Sequence, residues 1–142
     1  MKTATQLLAA KDSAIWTISP DHSVLDAIKL MGEKEIGALL VTNGTELVGI
    51  ISERDYARKV ILKGKESHST RISEIMTGNV VSVSPGESID HCMALMTQHK
   101  IRHLPVINNG IITGVLSIGD LVRAIIADQS DTIAHLEGYI MS

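Results

Sequence analysis

The sequence predicts an α/β fold, an α+β sandwich of two tandem β-α-β-β-α repeats related by a pseudo-twofold axis. Two observations carry this reading. Residues 16–60 slide onto residues 81–125 without a gap, at an offset of 65, and thirteen of the 45 aligned positions are identical. They include Ser19-Pro20 with Ser84-Pro85, Leu30-Met31 with Leu95-Met96, and Gly49, Ser52, Asp55 and Arg58 with Gly114, Ser117, Asp120 and Arg123. In both copies, moreover, the apolar spacing switches between strand and helix periods in the same order. A unit this small has little core of its own, so two copies are expected to share one domain, and any cleft between them is expected twice.

The elements follow in order. A short apolar strand, Trp16–Ile18 or Val80–Val83, meets Ser-Pro, which stops it ahead of a helix. That helix carries Val24, Leu25, Ile28 and Met31 in the first copy, and Ile89, Cys92, Met93 and Met96 in the second. Both sets form one stripe at a 3.6-residue period. The next strand is Ala38–Thr42 or Leu104–Ile107. Asn43-Gly44 and Asn108-Asn109-Gly110 then supply residues that tolerate positive φ, as a tight hairpin requires. The second arm, Leu47–Ser52 or Ile112–Ser117, runs into a second helix bearing Tyr56, Val60 and Ile61, or Leu121, Val122, Ile125 and Ile126.

Ahead of each copy, Leu7 and Ala10 align with Ile72 and Ile75, which predicts a short lead-in helix. The expected organisation is a first repeat with its lead-in over residues 1–62, a polar linker over 63–71, a second repeat over 72–127, and a terminal amphipathic helix over 128–142. That last helix places Ile133, Leu136 and Ile140 on one face, to be covered by its own domain or by a second subunit.

Composition narrows the function. The chain has 142 residues, 44% of them hydrophobic, with no Phe, so its core is aliphatic. A net charge of −3 and three aromatic rings are a poor footprint for nucleic acid. A single cysteine, Cys92, excludes an internal disulfide and a cysteine zinc cluster. No apolar run reaches membrane-spanning length, and a cytoplasmic location is expected. No nucleophile elbow or metal-and-base constellation marks an enzyme.

The sharpest local pattern is Gly-hydrophobic-hydrophobic-Ser-x-x-Asp, as Gly49-Ile50-Ile51-Ser52-Glu53-Arg54-Asp55 and Gly114-Val115-Leu116-Ser117-Ile118-Gly119-Asp120. It sits where a strand hands over to a helix, and helix N-termini attract anions. A carboxylate there suits the vicinal hydroxyls of a ribose. Ser-x-x-Asp is equally close to a capping box, which needs no ligand. The pattern alone leaves both readings open.

The paired motif, with Ile101-Arg102-His103-Leu104-Pro105-Val106, resembles a tandem CBS-domain pair (a Bateman module) over residues 5 to 127, and Gly-Ile-Ile-Ser-Glu-Arg-Asp-Tyr is typical of small stand-alone bacterial members. The resemblance implies a non-catalytic regulatory module that binds adenine nucleotides in clefts between its copies, with ligand-dependent shape or partner affinity. AMP is the leading ligand, with ADP, ATP or NAD as further candidates. It also implies that Asp55 and Asp120 hold ribose hydroxyls beside Ser52 and Ser117, that Ile15, Thr17, Val80 and Ser82 line the base pocket, and that Gly37-Ala38 lie below. Partners are then the nucleotide, a second copy meeting through helices, and a downstream protein target.

The copies also differ. Arg102-His103 stand where the first copy has Gly37-Ala38. An adjacent arginine and histidine suit phosphate, whereas Gly-Ala leaves room for a flat base. The site containing Ser117, Asp120, Arg102 and Gly37-Ala38 is therefore expected to bind better, with Arg54 as an additional phosphate contact. The alternative function is a structural dimerisation module with vestigial nucleotide sites.

Overall fold

The computed structural model describes residues 2–11 and 14–141, and it resolves into two compact units. The first unit spans residues 15–80, and the second joins the chain up to residue 14 with residues 81 onward.

In the first unit a three-stranded sheet has the order β1-β2-β3. The strands are β1 (Thr17–Ile18), β2 (Ala38–Asn43) and β3 (Glu46–Ser52). β1 runs parallel to β2, pairing Thr17 with Leu40 and Ile18 with Val41. β2 and β3 form the expected hairpin, with Ala38 opposite Ser52 and Asn43 opposite Glu46. Gly44 turns it at φ +64°, a conformation glycine adopts without a Cβ penalty. Helix α2 (Val24–Lys34) starts at Ser23, whose hydroxyl accepts from the Asp26 N–H at 3.1 Å, and ends at Glu35 in the left-handed region. Its Val24, Ala27 and Met31 meet Leu39, Val41 and Ile51 of the sheet.

The second helix of this repeat departs from expectation. A single turn, α3 (Glu53–Asp55), opens into π-helical turns over Tyr56–Ile61. Two side-chain anchors hold the widened segment: Tyr56 Oη lies 2.9 Å from Ser67 Oγ, and Lys59 Nζ donates to Ile75 O at 2.9 Å. Helix α4 (Ile72–Ile75) then closes the core with two fully buried isoleucines.

The second unit repeats the plan with a two-stranded sheet, β4 (His103–Asn108) and β5 (Ile111–Ser117). Asn109 and Gly110 turn the hairpin, both at positive φ. The strand expected at Val80–Val83 shrinks to one parallel bridge, Val83 to Val106, held by Val83 N–H to Pro105 O at 3.0 Å and Ile107 N–H to Val83 O at 2.8 Å. Helix α5 (Ile89–His99) is capped by Ser88, and its Ile89, Cys92 and Met96 enter the core.

Helix α6 runs unbroken from Ile118 to Met141, so no break separates the repeat from the terminal helix expected at 128. The physical reason is plain: between Asp120 and Glu137 there is neither glycine nor proline. Of the apolar face expected on it, Ile133 is exposed, and the side chains of Leu136 and Ile140 lie outside the described residues. No described helix is long and apolar enough to cross a membrane.

The lead-in helices are where chain order misleads. Helix α1 (Ala4–Ala10), grouped by sequence with the first repeat, completes the second unit. Its Ala4 and Leu7 are buried in that core, and Ala4 and Thr5 N–H groups donate to Glu87 O and Pro85 O at 2.9 and 3.0 Å. α4 serves the first unit likewise. Each lead-in lies tight against the motif glycine of its hairpin. A Cβ at Gly114 would sit 2.6 Å from Leu8 Cδ2; one at Gly49 would sit 2.6 Å from Met76 Sδ and 3.0 Å from Thr77 O. The side chain of Met76 can move, but Thr77 cannot, because its N–H and C=O are both bonded to Ile50.

Gly49→Val is therefore expected to destabilise the protein by about 1–3 kcal/mol through overpacking. Urea denaturation checks this, and an unchanged midpoint would refute the close approach.

Candidate functional site

Each Gly-h-h-Ser-x-x-Asp motif folds into a strand-to-helix junction with a reciprocal cap. In the first unit the Asp55 N–H donates to Ser52 Oγ at 3.2 Å, and the Ser52 N–H donates back to Asp55 Oδ2 at 2.9 Å. In the second, Asp120 N–H donates to Ser117 Oγ at 3.2 Å, and Ser117 N–H to Asp120 Oδ2 at 2.8 Å. Both motifs thus form the capping box that the spacing permits. This leaves ligand binding open, because a carboxylate accepts about four hydrogen bonds and each aspartate uses three.

The remaining bonds differ between the copies. Asp55 takes the Ser52 hydroxyl at 3.1 Å and Lys59 Nζ at 3.1 Å. Asp120 takes two cations: Lys11 Nζ on Oδ2 at 2.7 Å and an Arg123 N–H on Oδ1 at 2.8 Å. Lys11 also donates to Val115 O at 2.7 Å, which ties the end of α1 to β5. Burial alone would push the Asp120 carboxyl up. The Lys11 and Ser117 hydrogen bonds and the Lys11 charge outweigh it and hold the carboxyl below its ordinary value.

The strand-start residues fall beside these junctions. In the first unit Ala38 pairs with Ser52, and Gly37 O accepts the first N–H of α3, from Glu53, at 3.0 Å. In the second, His103 pairs with Ser117, and Arg102 O accepts from Ile118 N–H at 2.8 Å. Gly37-Ala38 and Arg102-His103 therefore hold matching places, each at the junction of its own unit. Burial pushes the His103 imidazole below its ordinary pKa. The Lys11 and Arg102 charges act in the same direction, and Asp120 opposes them.

The other expected site residues are more scattered. Thr17 stands exposed at the start of β1 and lines a shallow depression with His22, Asp26 and Thr42. Ile15 is exposed just before β1. Val80 is half-buried, Ser82 is exposed, and neither lies in a strand. Arg54 is half-buried in the first turn of α3, and its counterpart is Gly119. The bare Cα of Gly119 matters: an added Cβ would lie 3.2 Å from Arg123 Nη1. Lys11 and Lys59 were not among the expected residues. Their aligned positions hold Met76 and Ala124, so a comparison keyed on identities passes over them.

With this geometry in view, the likeness to known proteins is specific. The CBS domain profile matches residues 11–62 and again residues 72–127. The chain belongs to the CBS domain family. It is 40% identical over 137 residues to the mitochondrial CBS domain-containing protein CBSX3 of Arabidopsis thaliana, covering 93% of this chain and 66% of that protein. The structure of a CBS-domain protein from Burkholderia ambifaria superposes with a TM-score of 0.87 at 53% identity, covering 90% of this chain and 96% of that one. The CBS domain pair of protein MJ0100, solved with 5′-methylthioadenosine and S-adenosyl-L-methionine, gives 0.80 at 25% identity, covering 90% and 98%. The tandem pair and the mixed α/β fold expected from the repeat are thereby established.

A pH dependence follows from His103. Its folded pKa lies below the ordinary 6.5, so the unfolded chain takes up a proton first as pH falls. Stability is expected to decline as pH drops below about 6.5, and His103→Gln is expected to flatten that decline in thermal melts. An equal slope in the variant would refute the assignment.

Proposed function

We propose that this CBS pair is a non-catalytic regulatory module that binds an adenine nucleotide, AMP foremost, with ADP, ATP and NAD as further candidates. The observation that carries the reading is the pair of Ser-Asp junctions in a family whose member MJ0100 was crystallised with two adenosine compounds. Asp55 and Asp120 each keep one acceptor position. The long, partly exposed side chains of Lys59 and Arg123 can swing aside to free a second for a ribose diol. Ser52 and Ser117 stand beside them. In the second unit Lys11 and Arg123 flank one carboxylate with positive charge, and Arg102 and His103 are assigned to the phosphate, which favours a phosphorylated ligand over S-adenosylmethionine. Gly37-Ala38, Ile15, Thr17, Val80 and Ser82 are assigned to the base, and Arg54 to a phosphate. Binding then shifts shape or partner affinity by the differential affinity of the ligand for two states.

We assign the protein to the cytoplasm and to a homodimer. Val122, Ile126 and Ile133 form an exposed apolar stripe on α6, which supports association through helices. A second reading, a dimerisation unit with vestigial nucleotide sites, draws support from the complete capping boxes, which give Ser and Asp a structural role without a ligand.

A thermal-shift panel of adenosine, AMP, ADP, ATP, NAD, S-adenosylmethionine and GMP separates the two. A ligand at about 100 times its Kd adds roughly 2.7 kcal/mol, a rise of several degrees. Shifts with adenine phosphates and none with GMP uphold the sensor; no shift at all hands the case to the dimerisation unit. By calorimetry, Asp120→Ala is expected to weaken AMP binding more than Asp55→Ala, and equal losses would defeat the asymmetry. Ile126→Glu is expected to yield monomer in light scattering after size exclusion; an unchanged mass would remove α6 from the interface.

A further inference from the structure

The two units solve the same packing problem differently, and the difference opens a groove. In the second unit α1 and α6 flank a half-open groove of about 340 Å3. The lining includes Ala10, Ala124 and Ala127. In the gap-free alignment Ala10 and Ala124 correspond to Ile75 and Lys59. There Ile75 is buried to 2% exposure, and Lys59 stretches across to its carbonyl. The first unit thus occupies with an isoleucine and a lysine the place that the second leaves to two alanines. Open volume forfeits dispersion contacts, so this is not the arrangement that packing alone favours.

The same groove has gained charge. Lys2 and Lys11 line it where the first unit has Ser67 and Met76, and Arg123 and Asp120 complete the polar part. The lining thus holds three cations and one carboxylate. That carboxylate already bonds Lys11 and Arg123, so the lining carries a surplus of two positive charges. The side chain of Arg123 is 73% exposed and spends one N–H on Asp120, which leaves donors in the planar fork that suits a phosphate. Leu7 and the alanines offer an apolar wall beside it.

We infer that this groove is a binding site for a small dianion, a phosphate monoester with a short carbon chain. Lys2 and Arg123 hold the phosphate, and the alanine wall takes the carbon chain. The volume lies at the small end of ligand pockets, which limits the ligand's size. The inference goes beyond the nucleotide reading and does not rest on it: Asp120, Lys11 and Arg123 are shared with that reading, whereas Lys2 and the alanine wall belong to the groove alone.

The test is a two-dimensional 1H–15N titration with inorganic phosphate, against sodium chloride at matched ionic strength. Saturable shifts at the amides of Ala10, Ala124 and Ala127 are expected. Arg123→Gln should weaken them at least tenfold. Ala10→Ile, which restores the first unit's residue at an exposed position, should weaken them as strongly while leaving the rest of the spectrum folded. The same shifts with chloride, or wild-type phosphate binding in Ala10→Ile, would overturn the proposal. A parallel titration with adenosine, which has no phosphate, keeps the two sites apart. Adenosine shifts at Ser117 that survive in Ala10→Ile, with no phosphate shifts in the wild type, would sink the groove alone. Phosphate shifts without any adenosine response would sink the nucleotide reading alone.

Discussion

The close approach of each lead-in segment to its hairpin is the constraint on which the rest depends. A hairpin with one helix beside it leaves an apolar flank in water, and a short helix of one or two turns laid over a bare glycine closes it. Gly49 and Gly114 have no Cβ where Met76 and Leu8 come to rest. From that contact follow the burial of Ile72 and Ile75 on one side and of Ala4 and Leu7 on the other. The placement of the aspartates follows as well, because each junction begins three residues after its glycine.

A lysine then ties the lead-in to the junction, and the copies recruit it from opposite directions. Lys11 comes from the lead-in and bonds the β5 carbonyl of Val115 together with Asp120. Lys59 comes from the junction helix and bonds the α4 carbonyl of Ile75 together with Asp55. In each copy the aligned position of the other copy's lysine is apolar, Met76 or Ala124. One ammonium therefore serves each carboxylate and each tether, and a group that competes for the carboxylate also acts on the tether.

Much of this was legible from residue order. The hairpins were visible because Asn-Gly turns demand positive φ, and the helix starts because Ser23 and Ser88 precede apolar stripes. The family was visible in the doubled motif. The allocation of α1 was not: a pattern such as Leu7 and Ala10 announces an apolar face without saying which surface will cover it. The shortening of Val80–Val83 to one bridge was equally hidden, since strand length is set by what remains to pair with, not by the strand's own residues. At the junctions, identities between copies pointed to Ser and Asp but concealed Lys11 and Lys59, which share a role from different positions. Nor could sequence spacing show that Ser-x-x-Asp closes its cap in both copies while keeping one acceptor each.

The return of the chain from residue 81 onward to the segment ahead of residue 15 sets an order of events during synthesis. The first unit is one continuous stretch and can close as soon as residue 80 has left the ribosome. Helix α1 is made earlier, yet its partner Asp120 lies 109 residues downstream of Lys11. Seven residues are too few to hold a helix alone in water. A segment made before the first unit thus settles after it, and the slow long-range closure falls to the second unit.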